Sequence, residues 1–185
     1  MMDDVQYIIR QILRDIQVEL TDEFDKNFER EAFFTSAWQR RRSPIRDAGR
    51  GLLQDSGRLR QSIRSNVTAD SITFVTSEPY AGIHNEGGEI LVTERMKRFF
   101  WAKMYEAQGS FGRRKDGSAR RDKRTVALTT EAEFWKMLAL KKVGSTIRIP
   151  RRRFLGTSPE VEQAVREIIE ENLTEYFESE FRLSD

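Results

Sequence analysis

The chain has 185 residues, no cysteine, one histidine and a formal net charge of +2, with 38% of residues hydrophobic and 34% charged. That length fits one ordinary domain, 1–185, with enough chain to bury a core. The missing thiols exclude disulfides, thiolate metal sites and cysteine nucleophiles, and the lone His84 excludes centres built on two imidazoles. No run of about 20 apolar residues is available to span a membrane, and the acidic start Met1-Met2-Asp3-Asp4 is unlike a basic export signal.

Val5, Ile8, Ile9, Ile12, Ile16, Leu20, Phe24 and Phe28 recur every three or four residues, which predicts a long amphipathic helix ending near Phe33-Phe34. Residues 35–52, with Trp38, the run Arg40-Arg41-Arg42, the breaker Ser43-Pro44, Gly49 and Gly51, read as an irregular connection. Asp55 or Ser56 is placed to cap a short helical turn that buries Leu59 and Ile63. Ile63–Val67 and Ile72–Ser77, joined by Ala69-Asp70-Ser71, predict a hairpin with Ile72 and Phe74 on one side. Pro79 to Gly88 is framed by proline and glycine and reads as a shaped loop or short turn. Glu89–Thr93 follows as a strand and Glu94–Ala107 as a helix. Gln108 to Arg124, with three glycines and little apolar besides Phe111, reads as a mobile loop. Thr130-Glu131-Ala132-Glu133 resembles a capped helix start, Gly144–Pro150 a strand, and Pro159 the first residue of a closing helix. The order is α+β: a small antiparallel-rich sheet packed against long N- and C-terminal helices, with a mobile basic loop.

The modest net charge hides a segregation. Eleven cations and three acids lie between Arg95 and Arg124, six cations and no acid between Lys141 and Arg153, and the tail after Pro159 is acidic. A partner of complementary pattern, a second copy included, would be steered and oriented by such a field.

Little in the sequence points to catalysis. His84 with Glu86 and Glu89 lacks the ligand number and spacing of a metal site, and a histidine in such a loop ordinarily bonds backbone. Ser56 and Ser62 have only His84 available as an imidazole base, and no phosphate-binding glycine loop is present. No cofactor or metal is expected. The exposed cations Arg113, Arg114, Lys115, Arg120, Arg121, Lys123 and Arg124 fit either a protein interface or phosphate contacts. The nearby Phe99, Phe100, Trp101 and Tyr105 have helical spacing and read as core instead of a base-stacking platform. The wide apolar stripe of the last helix points to packing on its own domain.

Three motifs in order carry a resemblance: Leu53-x-x-Ser56-Gly57-x-Leu59-x-x-Ser62-Ile63, then Tyr80-Ala81-x-Ile83-His84-x-x-Gly87-Gly88, then Ile149-Pro150-x-Arg152-Arg153-Phe154-Leu155-Gly156-x-Ser158. This arrangement resembles the phage virion morphogenesis family, the tail completion proteins of Mu-like contractile-tailed phages and prophages. It is also similar to neck and tail-joining proteins of long-tailed phages. The resemblance implies a non-enzymatic assembly factor at the tail end or head–tail junction, active in the bacterial cytoplasm and then part of the virion. It further implies self-association into a ring, a hexamer by family analogy, and contact with tail-tube, terminator or head-side connector proteins. The motif residues are then fold-defining: Phe154 and Leu155 as core anchors, Gly156 as the turn, and Arg153 leading into the last helix. The seven loop cations are candidate interface residues, the acidic helix of a neighbouring subunit being one partner for them. A nucleic-acid-binding accessory protein using residues 113–124 is the rival reading, and a hydrolase centred on His84 a third.

Overall fold

The computed structural model describes residues 2–41 and 51–182. The expected breaker Ser43-Pro44, together with Arg42, Gly49 and Asp185, lies outside the described residues. In chain order the elements are α1 Met2–Arg30, β1 Ala32–Phe33, β2 Ser36–Ala37, α2 Arg58–Gln61, β3 Ile63–Val67, β4 Ile72–Thr76, α3 Ala81–Glu86, β5 Gly88–Leu91, α4 Glu94–Gly109, α5 Lys123–Ala139, β6 Thr146–Ile149 and α6 Pro159–Arg182. The strands form three antiparallel ladders of two, β1–β2, β3–β4 and β5–β6. The class is α+β, as the element order implied.

Several boundaries differ from the sequence reading. The first helix stops at Arg30, short of Phe33-Phe34, because Glu31 and Phe34 take left-handed φ values of 51° and 50°. The chain then doubles back, pairing Ala32 with Ala37 and Phe33 with Ser36, so Ser36-Ala37 is a strand where an irregular connection was expected. Gly57, at φ 72°, occupies the cap position of α2 with no side-chain cap, in place of Asp55 or Ser56. Leu59 is buried in α2, whereas Ile63 already belongs to β3. Residues 81–86, read as part of a shaped loop or short turn, form the short helix α3: Ala81 N donates to the Glu78 carbonyl at 3.0 Å just after Pro79. α5 begins at Lys123 and not at Thr130, capped by the Asp122 carboxylate, which accepts from Thr125 N at 2.9 Å.

The described contacts gather in two compact units. The first comprises residues 2–38, 51–86 and 151–182. In it α6 runs back along α1: Thr35, just past the end of α1, donates to Glu160 at 3.0 Å, and Asn172 Nδ2 donates to Asp15 at 3.0 Å. Phe24, Phe33, Leu20, Ile16 and Val161 form one apolar cluster, against which Ile72 and Phe74 of β4 pack. The expected alternation in β4 therefore holds, with Thr73 and Val75 on the exposed side. A second cluster joins Phe28, Trp38, Leu52, Leu59, Ala81 and Phe154. Leu155 packs against both. The stripe of α6 is only partly covered, since Leu173 and Phe177 remain exposed.

The second unit centres on residues 87–150. α4 and α5 form a helical hairpin around Met104, Ala107 and Ala132, with Trp101, Phe111 and Trp135 packed on them. Phe100 is buried and stacks on Trp135 at 5.8 Å, but Phe99 and Tyr105, read as core, are exposed. Residues 110–122, within the expected mobile loop, make backbone bonds among themselves. Arg113 bridges to Ala119, Arg114 N donates to Ser118 at 2.8 Å, and Arg120 N donates to Gly112 at 2.7 Å. β5 and β6 pair from Gly88↔Ile149 to Leu91↔Thr146, and the buried Val92 closes the ribbon through Ser145 and Gly144.

Candidate functional site

The motif residues converge at Phe154. Its ring is fully buried, 5.3 Å from the Phe28 ring, which in turn meets Trp38 edge-on at 5.7 Å. Leu59 from the first motif and Ala81 from the second close the same cluster, with Leu53, Ile63 and Leu155 packed against it. Burying a phenylalanine among aromatic and aliphatic neighbours contributes on the order of 2–3 kcal/mol.

The backbone of residues 153–155, outside any helix or strand, cannot satisfy its own polar groups, and side chains from elsewhere do so. Asn85 Oδ1 accepts from Phe154 N at 2.9 Å and Leu155 N at 3.0 Å, while its Nδ2 donates to the Leu155 carbonyl at 3.1 Å. Asn27, fully buried on α1, donates to the Phe154 carbonyl at 3.4 Å and accepts from Phe34 N at 2.9 Å. Trp38 Nε1 donates to the Arg153 carbonyl at 2.6 Å. None of these three residues belongs to the quoted motif positions. Asn85 lies inside the second motif, at one of its unspecified positions.

Arg153 holds the turn that follows. Its guanidinium donates to the carbonyls of Leu155 and Thr157 and lies 4.6 Å from the centroid of the Phe33 ring. Gly156 sits at φ 128°, and a Cβ there would stand 2.5 Å from Arg153 Nη2. The turn thus requires glycine for its dihedral, and any side chain there would also displace the Arg153 guanidinium.

The remaining motif positions shape backbone too. Ser62 Oγ donates to the Leu59 carbonyl at 2.7 Å and lies 2.6 Å from Thr76 Oγ1, tying α2 to β4. Ser56 Oγ is 3.5 Å from Arg58 N, and Leu53 takes a left-handed φ of 60°. Tyr80 meets the His84 ring edge-on at 6.1 Å; partial burial, then the Glu78 carboxylate, pushes its phenol pKa up. The His84 carbonyl accepts from Arg152 N at 2.8 Å. Gly87 and Gly88, at φ 71° and 148°, turn the chain out of α3. No group of three metal-ligating side chains occurs among the described residues. Of the candidate nucleophiles, Ser62 is engaged with Leu59 and Thr76 as above.

A charged clamp that the motifs did not reveal holds α2 on α1. Arg60 bonds Asp25 through two nitrogens and Glu29 at 2.7 Å, and these carboxylates hold its guanidinium charged far above any working pH. On α1 itself Arg30, followed by Lys26, holds the Glu23 carboxyl below its usual range.

The seven candidate interface cations are all exposed. Arg113 donates to the Gly117 carbonyl and Arg120 to the Arg113 carbonyl, so these two brace the loop. Among the described residues none of the seven forms an ion pair. The loop therefore presents uncompensated positive charge.

Among the described residues no helix is long and apolar enough to cross a membrane. Comparison with curated proteins and with solved structures returned no match. A sequence model of the phage virion morphogenesis family, however, matches residues 6–174, from the first turns of α1 into α6 and across all three motifs. The chain belongs to the phage virion morphogenesis family.

Proposed function

We propose that this protein completes the phage tail as a non-enzymatic joint, acting at the tail end or head–tail neck, where copies associate into a ring, hexameric by family analogy. Family membership carries a role in phage virion assembly. The finer reading is supported above all by one observation: Leu59, Ala81 and Phe154, one from each motif, meet in a single closed core. Residues used this way hold a shape, which is what a docking part needs. The exposed cations of residues 113–124 and the acids of α6 supply complementary surfaces for neighbouring copies, tail-tube or terminator proteins, or a head-side connector. Such a factor works in the host cytoplasm and stays in the particle.

Deleting the gene from an inducible prophage and imaging the lysate tests this. Full heads separate from finished tails are the expected outcome, and normal infectious particles would overturn the reading.

The uncompensated loop cations also favour a second reading, a nucleic-acid contact. Salt-dependent retardation of DNA that disappears when Arg114, Lys115 and Arg121 become glutamate would establish it.

A further inference from the structure

The first unit contains a cavity of about 750 Å³ lined by every residue of β4, Ile72 to Thr76, and by none of β3. Its lining includes both the inward-facing Ile72 and Phe74 and the outward-facing Thr73 and Val75. A space that meets both faces of one strand and misses its partner runs along the strand's free edge. The floor is apolar, from Leu13, Ile16 and Leu20 of α1 and Val161 and Val165 of α6, and residues 155–157 form the far wall.

The register states which backbone groups face this space. Thr68 N donates to the Ser71 carbonyl at 2.9 Å, so that pair is hydrogen-bonded across the hairpin. Bonded and non-bonded pairs alternate in an antiparallel ladder, so with Val67↔Ile72 and Ser65↔Phe74 as partners, Ile72, Phe74 and Thr76 turn their N–H and C=O groups away from β3. Among the described residues no backbone group outside the ladder bonds them on that side. An extended residue in a sheet occupies roughly 4.8 × 10 × 3.4 Å, about 160 Å³. The cavity accordingly takes a strand of roughly five residues, the length of β4 itself.

We propose that the edge of β4 receives β6, Thr146–Ile149, of a second copy of the chain, extending the β3–β4 ladder. This deepens the proposed function, since it rests on copies associating. β6 alternates exposed Thr146 and Arg148 with half-buried Ile147 and Ile149, the pattern that a strand needs above an apolar floor. Among the described residues Ile147 and Ile149 join none of the packed clusters. A two-stranded ribbon gains stability from such pairing. Charge agrees: Asp70 is the one charged residue lining the cavity, Glu160 and Glu162 stand in the first turn of α6, and Lys141 to Arg153 carries only cations.

The absence of native cysteine makes the test clean. Thr73→Cys protein is mixed with Arg148→Cys protein under oxidising conditions, with Val126→Cys on α5 as the control partner, and mass is followed by light scattering. A covalent dimer formed severalfold faster with Arg148→Cys than with the control, and suppressed by a peptide of residues 145–150, is the expected result. Self-association with only control-level cross-linking would overturn this interface while leaving the ring standing. A protein that stays monomeric and uncross-linked at every concentration would overturn both. Capture of Thr73→Cys solely by a different virion polypeptide would overturn the second copy as occupant.

Discussion

Asn85 accepts the main-chain N–H of Phe154 at 2.9 Å across 69 positions of sequence and, through the same oxygen, that of Leu155 at 3.0 Å. One amide thus substitutes for a strand partner along residues 153–155. Asn85→Ala leaves the Phe154 and Leu155 N–H groups without their acceptor and the Leu155 carbonyl with Arg153 as its remaining donor, a loss of about 2–4 kcal/mol. Asn85→Asp keeps the acceptor and loses only the donor, so it retains more stability at neutral pH. Urea unfolding of the three proteins checks the order.

Phe154→Ala removes the ring shared by all three motifs and leaves a hole beside Phe28 and Trp38. The expected cost is about 3–5 kcal/mol, visible as a lower urea midpoint and as a blue-to-red shift of Trp38 emission as water enters.

Gly156→Ala and Gly82→Ala separate dihedral strain from ordinary helix propensity. At Gly156 a methyl group meets the Arg153 guanidinium at a φ of 128°, and the variant loses about 1–3 kcal/mol. At Gly82, within α3, nothing lies within 4 Å, and alanine gains about 0.5–1 kcal/mol. Thermal unfolding of the pair should show shifts of opposite sign.

Glu23 links folding to acid. Arg30 and Lys26 lower its pKa in the folded state, so the charged form is favoured by folding. Its contribution is present above the unfolded value near 4.5 and is lost as pH falls through the lower folded value. Glu23→Gln should therefore be less stable than the parent at neutral pH, and the gap should narrow below about pH 4.5. Parallel urea titrations from neutral to strongly acidic pH measure it.

Replacing Arg114, Lys115 and Arg121 with glutamate leaves the second unit folded, because none of these side chains forms a bond within the described residues. Complementation of the deleted prophage should nevertheless fall sharply, with circular dichroism of the purified variant unchanged. Full complementation would remove the loop from the assembly surface.

Where a structure rests on periodicity or on a proline at a first helical position, the residues announced it. Ile72 and Phe74 alternate as a half-buried strand must, Pro159 opens α6 as proline does at a first helical position, and Ile147 and Ile149 mark β6. The end of α1 was hidden because Glu31 and Phe34 take left-handed angles without being glycine, and an apolar Phe-Phe pair continues a helical stripe as readily as it forms a turn. α3 was hidden by its frame, since Pro79 and Gly87-Gly88 advertise a loop while six residues between them coil. The cap at Asp122 was lost among cations. The centre of the site was half legible: Phe154 and Gly156 stood out, but an asparagine such as the buried Asn27 or the half-buried Asn85 carries no pattern until its distant backbone partner is known.

Within the first unit, Arg152 N reaches the His84 carbonyl at 2.8 Å and Arg151 lies 3.4 Å from Glu86, so the chain departs after Glu86 and returns at Arg151 through adjacent points. Everything between is an excursion whose length leaves those two anchors undisturbed. Shortening, replacing or tagging the α4–α5 hairpin is therefore expected to leave the Arg152–His84 and Arg151–Glu86 contacts in place, as for a cassette spliced between two neighbouring points.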